Sequence, residues 1–244
     1  MAFRSGVSIL DNASLHTSKE IVLRIDIKDF FPSIIFPRVR GFFESLGYNP
    51  GISSVFALLC TDSPRVLLNQ QNKSYFVEVG ERCLPQGACT SPNLANLITN
   101  NLDKRVSAYA VKSKWIYSRY ADDLILSTNA RMKNPDCLIS GISRIISDEG
   151  FQVNQKKTRI MRKTSRQIVT GLLVNDGVRL TKRDLHRFRA FFHNCKTKGI
   201  EKVSNEIGKD AISFARGYLA YINMISPSEA NKFIEKNSWL LAAK

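Results

Sequence analysis

The sequence is short of the features that mark several large classes of protein. It has no C-x-x-C pair, and its five cysteines (Cys60, Cys83, Cys89, Cys137 and Cys195) are odd in number and widely spaced. That pattern argues against a disulfide framework and against a zinc site; it fits a reducing compartment, so the expected location is cytoplasmic. Only three histidines are present, too scattered for a metal cluster. No apolar run is long enough to cross a bilayer and no signal peptide is recognisable, so no membrane partner is expected. Internal repeats and low-complexity linkers are absent as well. Acidic residues are scarce: 21 Asp+Glu stand against 36 Lys+Arg, a formal charge of +15.

What is there bounds the answer from the other side. The chain has 244 residues, 43% of them hydrophobic, enough for one large domain, or a domain and a small appendage, around a sizeable core. The cationic excess points to a polyanionic partner. It is also concentrated. From Lys156 to Lys198 thirteen Lys/Arg face two acids, Asp176 and Asp184, a local net of +11. A charge run is usually a solvated face, but one of this size reads as a nucleic-acid footprint.

The most informative stretch is Ser118-Arg119-Tyr120-Ala121-Asp122-Asp123-Leu124-Ile125-Leu126-Ser127. Its flanks suit a pleated, half-buried surface, and the simplest geometry is a hairpin turning at Tyr120 to Asp123. On a flat strand Asp122 and Asp123 would point to opposite faces; a tight turn breaks that alternation and can aim both at one place. Two anions so close disfavour each other's charge unless a cation neutralises them, and hard oxygen ligands suit Mg²⁺. The plain alternative is that Asp-Asp is a common turn dipeptide. A third carboxylate shifts the weight. Asp26 sits inside Ile21-Val22-Leu23-Arg24-Ile25-Asp26-Ile27-Lys28, an almost continuously apolar run that reads as a central strand. A carboxylate there is expensive unless it is paired or bound to metal.

Other segments fill in around these. Asn12 and His16 share a face if Asn12-Ala13-Ser14-Leu15-His16 is a helical turn; equally, Asp11 or Asn12 caps a helix. Helices are expected around Pro37 to Leu46 and Ile52 to Thr61, then a strand pair from Arg65 to Val79 turning near Gln71-Asn72-Lys73. A loop, Leu84 to Pro92, leads into one helix from Asn93 to about Val111, with Thr90 or Ser91 as cap and Leu94, Leu97, Ile98, Leu102 and Val106 on its face. Asp136 to Glu149 reads as an amphipathic helix closed by Gly150. Asn154 to Arg159 reads as a basic loop. Ile168 to Val174 and Val178 to Leu180 flank Asn175-Asp176-Gly177, a strong hairpin-turn signal. Thr181 to Lys198 is a basic helix, with Thr181 and Asp184 as a capping box and Arg183, Arg187 and Arg189 facing outwards. The tail to Leu241 is further helix, divided near Pro227.

Taken in order, Asp26-Ile27-Lys28-Asp29-Phe30-Phe31-Pro32-Ser33, Leu84-Pro85-Gln86-Gly87 and Tyr120-Ala121-Asp122-Asp123 resemble blocks shared by many reverse transcriptases. Asn12-Ala13-Ser14-Leu15-His16 and Val169-Thr170-Gly171 resemble the N-A-x-x-H and V-T-G signatures of the bacterial retron type. The resemblance runs from Phe3 to about Pro227. It implies an α+β right-hand polymerase: a palm whose antiparallel sheet with packed helices carries the carboxylates, partial fingers, and a helical thumb. The expected division is palm with a remnant of the fingers over 1–175 and thumb over 176–244. The implied activity is RNA-directed DNA polymerase, copying a structured non-coding RNA into a short DNA, with a role in antiviral defence. By resemblance, Asp26, Asp122 and Asp123 are catalytic and hold two Mg²⁺ ions for an in-line displacement at the α-phosphate. Lys157 would protonate the pyrophosphate leaving group, a solvated surface lysine being the alternative. Phe31 would crowd the ribose 2′ position, Gln86 and Gly87 would line the incoming nucleotide and template, and Tyr120 joins them as a substrate-binding residue. Arg183, Arg187 and Arg189 would grip an RNA–DNA hybrid through its phosphates, with Asn12 and His16 as further nucleic-acid contacts. Implied partners are a structured non-coding RNA as template and primer, deoxynucleoside triphosphates and an effector protein.

Two other readings share these residues. A group II intron-like reverse transcriptase is one; the retron-like blocks argue against it. An RNA-binding subunit without autonomous synthesis is the other, and the intact Asp26, Asp122 and Asp123 argue against it. Phe3-Arg4-Ser5-Gly6 resembles a point well inside the family's domain. Much of the fingers is therefore expected to lie outside this chain, which should bind nucleic acid but extend a primer weakly by itself.

Overall fold

The computed structural model describes residues 2–70, 73–130 and 135–237. They divide into two compact units: residues up to Ser8 with Lys19–Arg162, and Ile9–Ser18 with the residues from Lys163 on. The short helix α1 (Ile9–Ser14) therefore belongs to the second unit.

The first unit is built on an antiparallel sheet of β1 (Ile21–Asp26), β4 (Ile116–Tyr120), β5 (Asp123–Thr128) and β6 (Arg159–Arg162), in the order β4-β5-β1-β6. β1 lies inside the sheet, which is why its sequence is apolar almost throughout: Leu23 and Ile25 are fully buried, as are Leu124 and Leu126 on β5. Each such side chain contributes about 1.5–3 kcal/mol relative to leaving it in water. They join one core with Leu102 and Val106 of helix α5 (Asn100–Lys112) and Leu138, Ile142 and Ile146 of helix α6 (Asp136–Asp148). Gly141 marks the close approach of α6 to α5: a Cβ there would collide with the Tyr109 Oη.

The remaining elements of this unit are α2 (Phe36–Ser45), α3 (Pro50–Cys60), a ribbon of β2 (Arg65–Gln70) and β3 (Lys73–Glu78), and α4 (Ser91–Ile98). Asn49 caps α3, accepting from the Ile52 N–H. The ribbon is exposed along its whole length, with Leu67, Leu68 and Phe76 open to solvent. Gln71 and Asn72, where the turn is expected, lie outside the described residues.

The single helix expected from Asn93 to Val111 is two. The Thr99 hydroxyl donates to the Ala95 carbonyl at 2.6 Å, and the chain breaks between α4 and α5 at that residue. Leu97 lies on the surface rather than on the apolar face. Thr90 stands at the N-cap position of α4 without a side-chain capping bond, and Ser91 Oγ donates to the Pro85 carbonyl at 2.7 Å, which ties down the preceding loop.

The second unit holds a small hairpin, β7 (Ile168–Val169) and β8 (Leu172–Leu173), and helices α7 (Lys182–Lys198), α8 (Ile200–Ile207), α9 (Ala211–Ile225) and α10 (Pro227–Lys236). The run Ile168 to Val174 does not continue as one strand to Asn175-Asp176-Gly177. It reverses at Thr170-Gly171, both at positive φ, so the V-T-G block is a turn. Asn175-Asp176-Gly177 makes a second, wider turn, closed by the Leu173–Arg179 bridge. Thr181 caps α7 through the Asp184 N–H, and its hydroxyl donates to the Asp184 carboxylate at 2.6 Å. Pro227 opens α10 as expected. The tail beyond Asn237, including Leu241, lies outside the described residues.

The division also differs from one at 175/176. Val174 accepts from the Ser18 N–H at 2.9 Å and Thr170 donates to the Ile9 carbonyl at 3.2 Å, so the hairpin belongs with α1 and the later helices. The class is α+β, an antiparallel sheet with packed helices.

Candidate active site

β4 and β5 pair through Tyr120 and Asp123, leaving Ala121-Asp122 as the turn. Ala121 sits at φ +54°, a left-handed conformation that disfavours a side-chain-bearing residue by about 1 kcal/mol or more. The Asp122 carbonyl accepts from the Ile27 N–H at 2.9 Å, which ties this turn to the end of β1. In the β1–β5 register Asp26 stands directly opposite Asp123. One oxygen each of Asp26, Asp122 and Asp123 lies within 4.8 Å of the others. The turn thus brings the adjacent pair to the strand-borne carboxylate.

The electrostatics of this triad call for a cation. At an effective dielectric constant of about 20, two unit charges at such a distance repel by roughly 3 kcal/mol. Two cations stand in part against that. Arg24 Nε donates to Asp123 Oδ1 at 2.7 Å, and Lys157 Nζ to Asp26 Oδ2 at 3.3 Å. Burial pushes the Asp123 carboxyl above the usual carboxylate range; Arg24 pulls it back, and Asp122 and Asp26 add to the rise. Asp26 is 1% exposed and its Oδ1 has no hydrogen-bond partner. An orphaned, buried carboxylate oxygen beside two more carboxylates fits a hard divalent ion, which accepts oxygen ligands of this kind. Among the described residues no other trio of His, Cys, Asp or Glu side chains converges in this way.

Asp26 and Asp122 open into a cleft of about 340 Å³, lined also by Phe31, Gln86, Asn154 and Lys157. Phe31 is half-buried, its ring 5.4 Å from that of Phe30 and 6.3 Å from that of Phe3. Lys157 reaches the cleft because its loop is hung on β1: the Asn154 N–H donates to the Asp26 carbonyl at 2.8 Å. Gly87 and Tyr120 are not among the cleft's lining. Gly87 is exposed at φ +95°, and Tyr120 is half-buried on β4 beside the turn. Sequence reasoning passed over Asp29 and Asn154 in the lining and Arg24 on Asp123. The signal for Arg24 was its place two residues before Asp26, on the same strand face.

The proposed nucleic-acid residues separate into three groups. Arg183 and Arg187, one turn apart on α7, are exposed and line a hollow of about 750 Å³ with Arg166 and Lys182. Arg189, also exposed, lines a different one of about 210 Å³ with Glu229 and Lys232. Asn12 and His16 are fully buried. Helix α1 begins at Ile9, so neither Asp11 nor Asn12 is its cap; both signature side chains turn inwards and offer a polyanion no surface.

With this geometry in place, the family comparison is decisive: the sequence profile described as "Reverse transcriptase (RNA-dependent DNA polymerase)" matches residues 1–202. The chain belongs to the reverse transcriptase family. Reverse transcriptases of retron type are among its relatives. It is 38% identical to the retron Mx162 reverse transcriptase of Myxococcus xanthus over 95% of this chain, and 35% identical to the retron Mx65 enzyme of the same organism over 96%. Identity to the retron Ec86 reverse transcriptase of Escherichia coli is 36% over 96% of this chain. The chain spans 50% and 53% of the two Myxococcus relatives and 65% of the Escherichia coli one. For a reverse transcriptase, the converging acidic triad is where a divalent ion fits. No helix among the described residues is long and apolar enough to cross a membrane.

Proposed function

We propose that this chain carries the catalytic centre of an RNA-directed DNA polymerase of retron type, which copies a structured non-coding RNA into a short DNA. The observation that supports it most is the convergence of Asp26, Asp122 and Asp123 around an orphaned buried oxygen, with Asp26 and Asp122 lining a cleft shared with Phe31, Gln86 and Lys157. Two Mg²⁺ ions held by the three carboxylates would supply Lewis acidity for an in-line displacement by a primer hydroxyl at the α-phosphate. The chain's own residues do the rest. Lys157, largely exposed and paired with Asp26, carries a proton within reach of a leaving pyrophosphate. Phe31 crowds one side of the sugar, and Gln86 holds the nucleotide edge. Arg183, Arg187 and Arg189 take phosphates of the template–primer hybrid as exposed cations. The proposed partners are that RNA, its hybrid with the new DNA, deoxynucleoside triphosphates and an effector protein in antiviral defence.

Primer extension on an RNA template with Mg²⁺ tests the reading. The wild-type chain should add deoxynucleotides, and Asp122→Asn should abolish addition while leaving hybrid binding intact. Equal extension by both proteins would reject the assignment.

A further inference from the structure

Asp122 is aimed by a turn whose first residue, Ala121, holds a disfavoured φ of +54°. Something must hold it there. The Ala121 carbonyl accepts from Arg119 Nη1 at 3.0 Å, two residues back on β4. Together with the Ile27 N–H on the Asp122 carbonyl, this fixes both carbonyls of the turn, and so the direction in which the Asp122 carboxylate leaves the backbone.

Arg119 is itself immobilised. Its side chain is only 4% exposed. Nε donates to Asp103 Oδ1 at 2.8 Å and Nη2 to Asp103 Oδ2 at 2.7 Å, a two-pronged pair with the first turn of α5. Nη1 also reaches Asn96 Oδ1 on α4 at 3.2 Å, and the Tyr117 hydroxyl donates to Asp103 Oδ1 at 2.6 Å. The guanidinium carbon lies 5.8 Å from the Phe30 ring centroid, and Phe30 packs on Phe31. One planar group therefore connects the helices on either side of the Thr99 break to the tip of the carboxylate hairpin. A lysine retains the charge but cannot form the fork or reach three acceptors in fixed directions.

We propose that Arg119 is a positioning residue for nucleotidyl transfer: anchored by Asp103, Asn96 and Tyr117, it locks the Ala121-Asp122 turn so that Asp122 converges with Asp26. Its part is to act through the backbone of the turn. The proposal rests on the polymerase reading for its kinetic consequence; its structural consequence, a preformed ion site, can be read separately. A misplacement of about 1 Å in such a group is enough to lower a rate by about a hundredfold.

The test is Arg119→Lys, with Asn96→Ala as a second variant that leaves the Arg119–Asp103 charge pair whole. Each is compared with the wild type for thermal melting, Mn²⁺ binding by electron paramagnetic resonance, hybrid affinity, and kcat and KM in single-nucleotide addition. Folded Arg119→Lys should lose about a hundredfold in kcat and bind Mn²⁺ more weakly, with hybrid affinity and nucleotide KM near wild type. If Arg119→Lys does not fold, Asn96→Ala should still show a smaller loss in kcat and in Mn²⁺ binding. Wild-type kcat and Mn²⁺ binding in the folded variants overturn the proposal. A wild-type chain that binds Mn²⁺ but adds no nucleotide, with weaker Mn²⁺ binding in the variants, rejects the polymerase reading and leaves the clamp standing.

Discussion

Phe31→Ala separates a substrate-facing role from a core role in one experiment. The ring is half-buried and packs against the core that holds Phe30, yet it also lines the cleft beside Asp26 and Asp122. Truncating a fully buried phenylalanine costs about 3–5 kcal/mol; with half the ring open, roughly 2 kcal/mol is expected here. The sugar effect has a different origin. Forcing one more atom into a well-packed contact costs about 1–3 kcal/mol, which at 1.4 kcal/mol per factor of ten is about five- to 150-fold against a ribonucleotide. Removing the ring gives that discrimination up. The assay is single-nucleotide addition with matched ribo- and deoxyribonucleotides in competition, and a melting curve on the same preparation. A variant that is destabilised as calculated but keeps the wild-type ratio would show that Phe31 is a packing residue and that sugar choice lies elsewhere.

Two further outcomes follow from the same geometry. Mg²⁺ at a hundred times its dissociation constant should stabilise the wild type by about 2.7 kcal/mol, whereas Asp26→Asn should gain almost nothing and, with chelator present, melt no lower than the wild type, because its like-charge repulsion is gone; an equal Mg²⁺ gain in both proteins would place the ion elsewhere. Binding to an RNA–DNA hybrid should weaken steeply with salt, and Arg183→Ala and Arg187→Ala should each reduce the slope of log affinity against log salt by about 1, measured by fluorescence anisotropy; unchanged slopes in both would take these arginines off the phosphates.

Much of the site is legible in the chain because its logic is local. A carboxylate in an apolar strand and two more at a turn are anomalies that demand a cation, and the β1–β5 register brings them face to face. Elements set by hydrophobic period were also readable: α6 and α7 lie within a residue or two of their expected bounds. What escaped was decided by competition or by distance. A hydrophobic stripe runs unbroken through Thr99, so the period gives no sign that the helix is interrupted there. Two turn signals compete between Ile168 and Leu180, and the strands between them are too short to rank the two by pattern. The inward turn of Asn12 and His16 depends on tertiary packing, which a polar motif does not announce. Arg24 meets Asp123 across 99 positions and Arg119 meets Asp103 across 16, so neither pair has a periodic signature.

The exposed β2–β3 ribbon bears on how this protein behaves in a test tube. Among the described residues each of its strands is hydrogen-bonded to the other alone, so both outer edges offer free backbone groups beside apolar side chains. Such edges invite strand-to-strand association between copies. The chain's +15 charge opposes it, but only as far as the ionic atmosphere permits: the screening length is about 30 Å at 0.01 M salt and about 3 Å at 1 M. Colloidal stability should therefore decline over the same range in which nucleic-acid affinity falls. A signal lost at high salt would then mix dissociated complexes with clustered protein, and light scattering from the same cuvette would tell one from the other.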